Sequence, residues 1–172
     1  MNGTSAHVIV GFIATGLASA AVSAPADQGA CTTGAGPSVN VQVHGLRDNV
    51  GRLRLELYPD NERDFLRDDS ELVREGKVFR RVWSSTPHGS EANLCIAAPS
   101  PGRYAVILVH ARGNKNKFNL WSDGVGVVGS ERLGRSKPKL AEALVDVRPN
   151  GATVQIRAQY MRGLTGFGTV TR

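Results

Sequence analysis

The chain has 172 residues, 21 Lys/Arg against 15 Asp/Glu, a formal charge of +6 and an isoelectric point of about 9.8. That length suits one domain with a sizeable core, and Gly and Pro together make 28 residues, so turns should be frequent. A basic balance favours anionic partners such as acidic polysaccharide, lipid headgroups or nucleic acid, but it speaks to solubility and steering and names no ligand.

The N-terminus reads as a secretory signal. His7 precedes an apolar run, Val8 to Val22, and small residues follow in Ser23-Ala24-Pro25-Ala26. The run is short for a membrane span and long enough for a signal core. Cleavage after Ala26 uses Ala24-Pro25-Ala26 as the A-x-A site and leaves Asp27 first, with 172 − 26 = 146 residues. Cleavage after Ala24 is the alternative cut, and an uncleaved anchor helix is the competing structure, since no Lys or Arg precedes the run. No second apolar run approaches membrane length, so the mature chain is expected to carry no transmembrane span. Outside the cytosol Cys31 and Cys95 are expected to pair. A lipid-anchored Cys31 is the rival, but Gln28-Gly29-Ala30 lacks the Leu expected three places before such a cysteine.

Residues 27–37 are small and polar, and are expected as a flexible leader. Residues 38–163 are expected as the folded domain and 164–172 as a C-terminal tail. Val39, Val41 and Val43 alternate with Asn40, Gln42 and His44. Leu53, Leu55 and Leu57 alternate with Arg52, Arg54 and Glu56. Period two predicts two half-buried strands, and the turn formers between them predict a hairpin. After Pro59-Asp60-Asn61, the spacing of Phe65, Leu66, Leu72 and Val73 predicts a short helix ending near Gly76. The acidic residues Asp60 to Glu71, interrupted by Arg63 and Arg67, fit a solvated helix face. Strands are predicted at Lys77–Trp83 and Glu91–Ala97. The run Arg103 to Ala111 is apolar on both faces and predicts a central, covered strand. Near the C-terminus Ala141–Val147 and Ala152–Tyr160 flank Asn150-Gly151, a preferred hairpin pair. About seven strands and one short helix predict an all-β antiparallel sandwich of immunoglobulin-like or prealbumin-like type.

Residues 112–139 are expected as one long basic, Gly-rich loop. Arg112, Lys115, Lys117, Arg132, Arg135, Lys137 and Lys139 stand against Asp123 and Glu131, a local net of +5. Gly124, Gly126 and Gly129 have the spacing G-x-G-x-x-G. A nucleotide fingerprint needs a helix directly after the glycines, and Gly134 and Pro138 leave no room for one, so no nucleotide is expected. Ser136 to Lys139 matches S-x-x-K, but Pro138 sits inside the turn that chemistry needs. The histidines show no zinc spacing. His44 lies on a polar face, His88 in a turn, and His110 at a strand end beside the basic loop. Tyr104, Trp121 and Tyr160 are expected in the core or at its rim.

The blocks VQVHGLRDNVGRLRLELYPDNERDFL, GKVFRRV, LCIAAPSPGRYAVILVH, NKFNLWSDGVGVVG and SKP stand in an order that resembles a bacterial secreted family, domain of unknown function 2141, from about Val39 to Gly163. The resemblance implies an exported β-sandwich with no assigned activity. Family members commonly carry acids just after the histidine, as in H-D-x-[DN]-x-N. Here Ala111 and Gly113 occupy those places, with Lys115 and Lys117 nearby. A hard cation wants several anionic oxygens, so neither a metal nor a cofactor is expected.

Two functions from different classes follow. One is an exported, non-enzymatic binding or structural module of the bacterial envelope, in periplasm or medium, that meets an anionic polymer or a partner protein through the seven basic loop residues. The other is a small envelope enzyme with His110 as general base and Ser122 or Asp123 close by. Nucleic acid is not expected as a physiological partner of an exported chain.

Overall fold

The computed structural model describes Cys31, residues 36–113 and residues 117–170. The expected signal and most of the leader lie outside these. Among the described residues, strands β1 (Ser38–His44), β4 (Ala92–Ala97) and β8 (Ala152–Arg157) form a three-stranded sheet in the order β4-β1-β8. Seven more form a second sheet: β2 (Arg52–Pro59), β3 (Arg80–Ser85), β5 (Gly102–Ala111), β6 (Gly124–Val127), β7 (Leu144–Val147), β9 (Gln159–Met161) and β10 (Phe167–Thr169). Its order is β10-β9-β6-β5-β2-β3, with β7 sharing the edge of β5 that β6 also uses. The two sheets make the expected all-β sandwich, with ten strands rather than seven and one parallel pair, β1 with β8. No helix among the described residues is long and apolar enough to cross a membrane.

The main core lies between the sheets. Val39, Val41 and Val43 of β1 and Leu94 and Ile96 of β4 meet Leu53, Leu55 and Leu57 of β2 and Val106 and Leu108 of β5. These are the alternating residues of the sequence pattern, so period two locates the core correctly. On the outer face of the small sheet, Cys95 is bridged to Cys31 with Cα atoms 5.7 Å apart, as expected.

β5 is central and covered, as its two-faced apolarity predicts. β2 runs along one edge, β6 and β7 along the other, and every residue from Tyr104 to Ala111 is buried. A second apolar cluster coats the outer face of the large sheet. There Ile107, Val125 and Val127 pack under Leu72, Leu133, Leu140 and Phe167.

Several local expectations are corrected. β1 and β2 are not a hairpin: the link 45–51 crosses between the sheets, with Leu46 buried on the way and its N–H on the Ser90 carbonyl at 3.0 Å. Both strands have a leucine or valine stripe that must face one core, and placing them in opposite sheets satisfies both. The predicted helix shrinks to α1 (Asp69–Arg74), because the chain turns at 62–66 and Leu66 takes φ of 61°. β3 starts three residues later than predicted. Asn150-Gly151 does make a tight turn, Gly151 N–H to Arg148 carbonyl at 2.8 Å, but β7 and β8 then part into different sheets. The run after it breaks at Ala158, where the chain changes sheet between β8 and β9. Ahead of β7, Leu140–Ala143 form a four-residue helix, α2. The stretch expected as a tail contributes β10, which pairs with β9.

Candidate functional site

The expected basic loop is two segments separated by a strand. Residues 124–127 form β6, fully buried and paired with β5 and β9. The glycines explain why. A Cβ on Gly124 would lie 2.5 Å from Cε1 of Tyr160, and one on Gly126 2.6 Å from the Arg157 carbonyl oxygen. The inner face of β6 is bare backbone because another strand's atoms lie directly on it. No helix follows Gly129 before α2, and the Gly129 N–H is bonded to the Glu142 carbonyl at 2.7 Å. The G-x-G-x-x-G spacing is a packing device.

The seven basic residues do not act as a set. The Arg112 guanidinium forks onto Asp48, Nε to Oδ1 at 3.0 Å and Nη2 to Oδ2 at 2.5 Å, with Nη1 on the Ser122 carbonyl. That hydrogen-bonded cation holds the Asp48 carboxyl below the usual carboxylate range, against the opposing effect of its partial burial. Arg112 is therefore occupied in clamping the β1–β2 link, and it leaves the anion-binding set. Lys115 lies outside the described residues. Lys117, Arg132, Arg135, Lys137 and Lys139 are exposed, and none forms an ion pair with a described residue. Asp123 is buried and serves its own loop. It accepts from the backbone N–H groups of Arg112 and Asn119 and from the Ser122 hydroxyl.

His110 is 0% exposed, with both ring nitrogens committed. Nε2 lies 2.8 Å from the Val50 carbonyl, so it carries the proton and donates. Nδ1 is then the acceptor for the Tyr160 hydroxyl at 2.6 Å, and that hydroxyl in turn accepts from the Arg47 N–H at 3.0 Å. Burial keeps His110 below the usual imidazole range and lifts Tyr160 above the usual phenol range. The network ties the β1–β2 link to β5 and β9. A ring so placed is sealed from solvent, and both of its nitrogens are spent on the protein's own groups. Tyr104 and Tyr160 sit in the core as expected, whereas Trp121 is 72% exposed.

The two basic segments border a pocket of about 380 Å³ on the outer face of the large sheet. Its floor is built by alternation. On β2 the leucines point inward, so Arg54, Glu56 and Tyr58 point outward; on β5 and β6 Ile107, Val109 and Val125 do the same. Phe118, Leu120 and Phe167 form walls, with Phe118 and Phe167 rings 6.2 Å apart. Arg135 and Lys137 stand at the rim. A two-way bridge between Gly134 and Phe167 holds their segment against β10.

Sequence pattern placed Arg54 and Glu56 on a solvent face. They are in fact 7% and 3% exposed. Glu56 accepts from the Tyr58 hydroxyl at 3.0 Å and from Arg81 Nε at 2.8 Å, and pairs with Arg54 Nε at 3.1 Å. Burial and the adjacent carboxylate push the Tyr58 hydroxyl far above its ordinary range. Burial works against the Arg81 cation, but Glu56 and Asp69 outweigh it and raise its pKa. The pairing explains their burial: β2 lies along β5, which is covered on both faces, and it shares that cover, charges included.

Most of the acidic run that precedes β3 is engaged close by. Asp64 binds Lys77 at 2.6 Å, Glu71 and Glu75 bind Arg67, and Asp69 binds Arg81. Asp68 caps α1 by accepting from the Ser70 N–H.

No curated protein and no solved structure matches the chain. The profile of a bacterial family described as "Uncharacterized protein conserved in bacteria (DUF2141)" matches residues 41–155, from the second half of β1 to the middle of β8. That span holds both basic segments, most of the pocket and the His110 anchor, and the chain belongs to this DUF2141 family.

Proposed function

We propose that the chain is an exported, non-enzymatic binding module of the bacterial envelope that holds an anionic polymer on the cations flanking β6. One observation carries this: Lys117, Arg132, Arg135, Lys137 and Lys139 are exposed and have no acidic partner among the described residues, whereas Asp64, Asp69, Glu71 and Glu75 around α1 have cations of their own. Unpaired cations grouped on two neighbouring segments give a positive field that a polyanion would meet. The apolar Val8–Val22 run and the Cys31–Cys95 bridge support export, since disulfides persist in oxidising compartments.

The test is binding of the full mature chain to an acidic polysaccharide at rising salt. Exposed charges are screened beyond about 8 Å at physiological ionic strength, so affinity is expected to fall steeply with salt. It should fall again in a variant with Lys117, Arg132, Lys137 and Lys139 changed to Gln. An absence of binding at low salt, or binding that ignores both salt and the substitutions, removes the proposal.

A further inference from the structure

The pocket between the basic segments has a chemistry that a polyanion does not use. Its floor sets aliphatic Ile107, Val109 and Val125 beside Tyr58 and the Arg54–Glu56 pair, and its mouth is flanked by Phe118 and Leu120, which remain 37% and 44% exposed. Large apolar side chains left partly open beside an apolar floor are surface that an occupant would cover. The charged lining is unequal. Arg54, Arg135 and Lys137 stand against Glu56 alone, a net of +2. Glu56 is already engaged by Tyr58, Arg81 and Arg54, so it has little to offer a cation. Arg135 and Lys137 have no acid among the described residues. An occupant with an apolar body and one anionic end satisfies both halves at once. The volume of about 380 Å³ is at the small end of small-molecule sites, which span about 300 to 1,000 Å³. That favours one chain over the two of a phospholipid.

We propose that this pocket binds a free single-chain anionic amphiphile of the fatty-carboxylate class, the chain over Ile107, Val109 and Val125 and the carboxylate on Arg135 and Lys137. The proposal shares Arg135 and Lys137 with the polyanion reading, and adds an apolar requirement that reading lacks.

The probe is decanoate, titrated calorimetrically into the full mature chain below its micelle concentration, beside 1-decanol and acetate. Decanoate is expected to bind, acetate not, and decanol at least several-fold more weakly, since it lacks the charge. Arg135→Gln with Lys137→Gln should weaken decanoate about tenfold, the usual scale for losing a charge-assisted hydrogen bond. Phe118→Ser with Leu120→Ser, both at partly exposed positions, should weaken decanoate by a similar factor and leave polysaccharide binding unchanged; that contrast separates the two proposals. Circular dichroism of each variant confirms that the fold is retained. The proposal is overturned if decanoate does not bind, if decanol binds as well as decanoate, or if neither double variant changes the affinity. It is equally overturned if anionic phospholipid vesicles bind through Phe118 and Leu120 while free decanoate does not, because the face is then a membrane contact.

Discussion

Gly126→Ala tests the account of β6. The added Cβ would stand 2.6 Å from the Arg157 carbonyl oxygen and 2.6 Å from Cγ2 of Ile156. Ordinary contact begins near 3.4 Å, so the facing chain must retreat by 3.4 − 2.6, about 0.8 Å. One obstacle is backbone, at the point where the chain passes from β8 to β9, and it has no rotamer to change. Overpacking of this kind costs about 3 kcal/mol at the upper end of the usual range. Replacing glycine in a strand returns about 0.5–1 kcal/mol of chain entropy. The net loss is about 2 kcal/mol, or about 4–8 °C in Tm for a chain of this size. Urea unfolding followed by tryptophan fluorescence measures it. The control is Gly113→Ala, where a Cβ meets nothing within 4 Å and stability should move by no more than about 0.5 kcal/mol. If the two variants are equally stable, close backbone approach is not what the glycines of β6 provide.

Reducing Cys31–Cys95, which spans a sequence separation of 64, should destabilise the domain by about 4 kcal/mol in the chain-entropy model; matched melts with and without reductant read it. Glu56→Gln leaves Arg54 buried beside a neutral partner and should cost about 3 kcal/mol in denaturant unfolding, whereas Asp60→Asn, at the exposed pair with Arg103, should cost under about 1 kcal/mol. His110 is held neutral by burial, so its folded pKa lies below the unfolded value of about 6.5. The unfolded chain then binds more protons between those two values. The His110 contribution is fully present above about pH 6.5 and is lost as pH falls from there toward the folded pKa, by up to about 1.4 kcal/mol per pH unit. His110→Gln should be less stable at pH 7.5 yet lose less between pH 7.5 and 5, and equal losses in both proteins would rule this out.

Much of the fold was legible because one face of each core strand is apolar at period two. Val39, Val41 and Val43, and Leu53, Leu55 and Leu57, point where the pattern puts them. The disulfide followed from the count of cysteines and the compartment expected of the chain. Pairing was not legible, because alternation fixes which side of a strand is buried and says nothing about its neighbour. That is why β1 and β2 read as a hairpin although they lie in opposite sheets. β6 was missed because its inward residues are glycines: a strand that packs by backbone has no apolar side chain there to announce it. Of the site, Lys117, Arg132, Arg135, Lys137 and Lys139 were visible as charge. Arg112 was misjudged because its partner, Asp48, is 64 residues away. The apolar floor was invisible, since Ile107 and Val109 belong to β5 and Val125 to β6, and only the topology supplies their adjacency.

The site and the central strand have one cause. β5 carries apolar side chains on both faces, so the large sheet cannot leave its outer face in water. α1, the segment through Leu133 and Leu140, and β10 supply the cover. These are short pieces drawn from separate parts of the chain; they bury Ile107, Val109 and Val125 but leave between them the gap that these three line. The segments that border the gap are the ones that carry the cations. A hydrophobic pair at 54 and 56 would avoid the desolvation that a buried ion pair must recover, but it would strip the Tyr58 hydroxyl and Arg81 of the Glu56 carboxylate. Arg54 and Glu56 instead put a fixed charge pattern under an apolar opening, with Tyr58 and Arg81 holding the carboxylate in place.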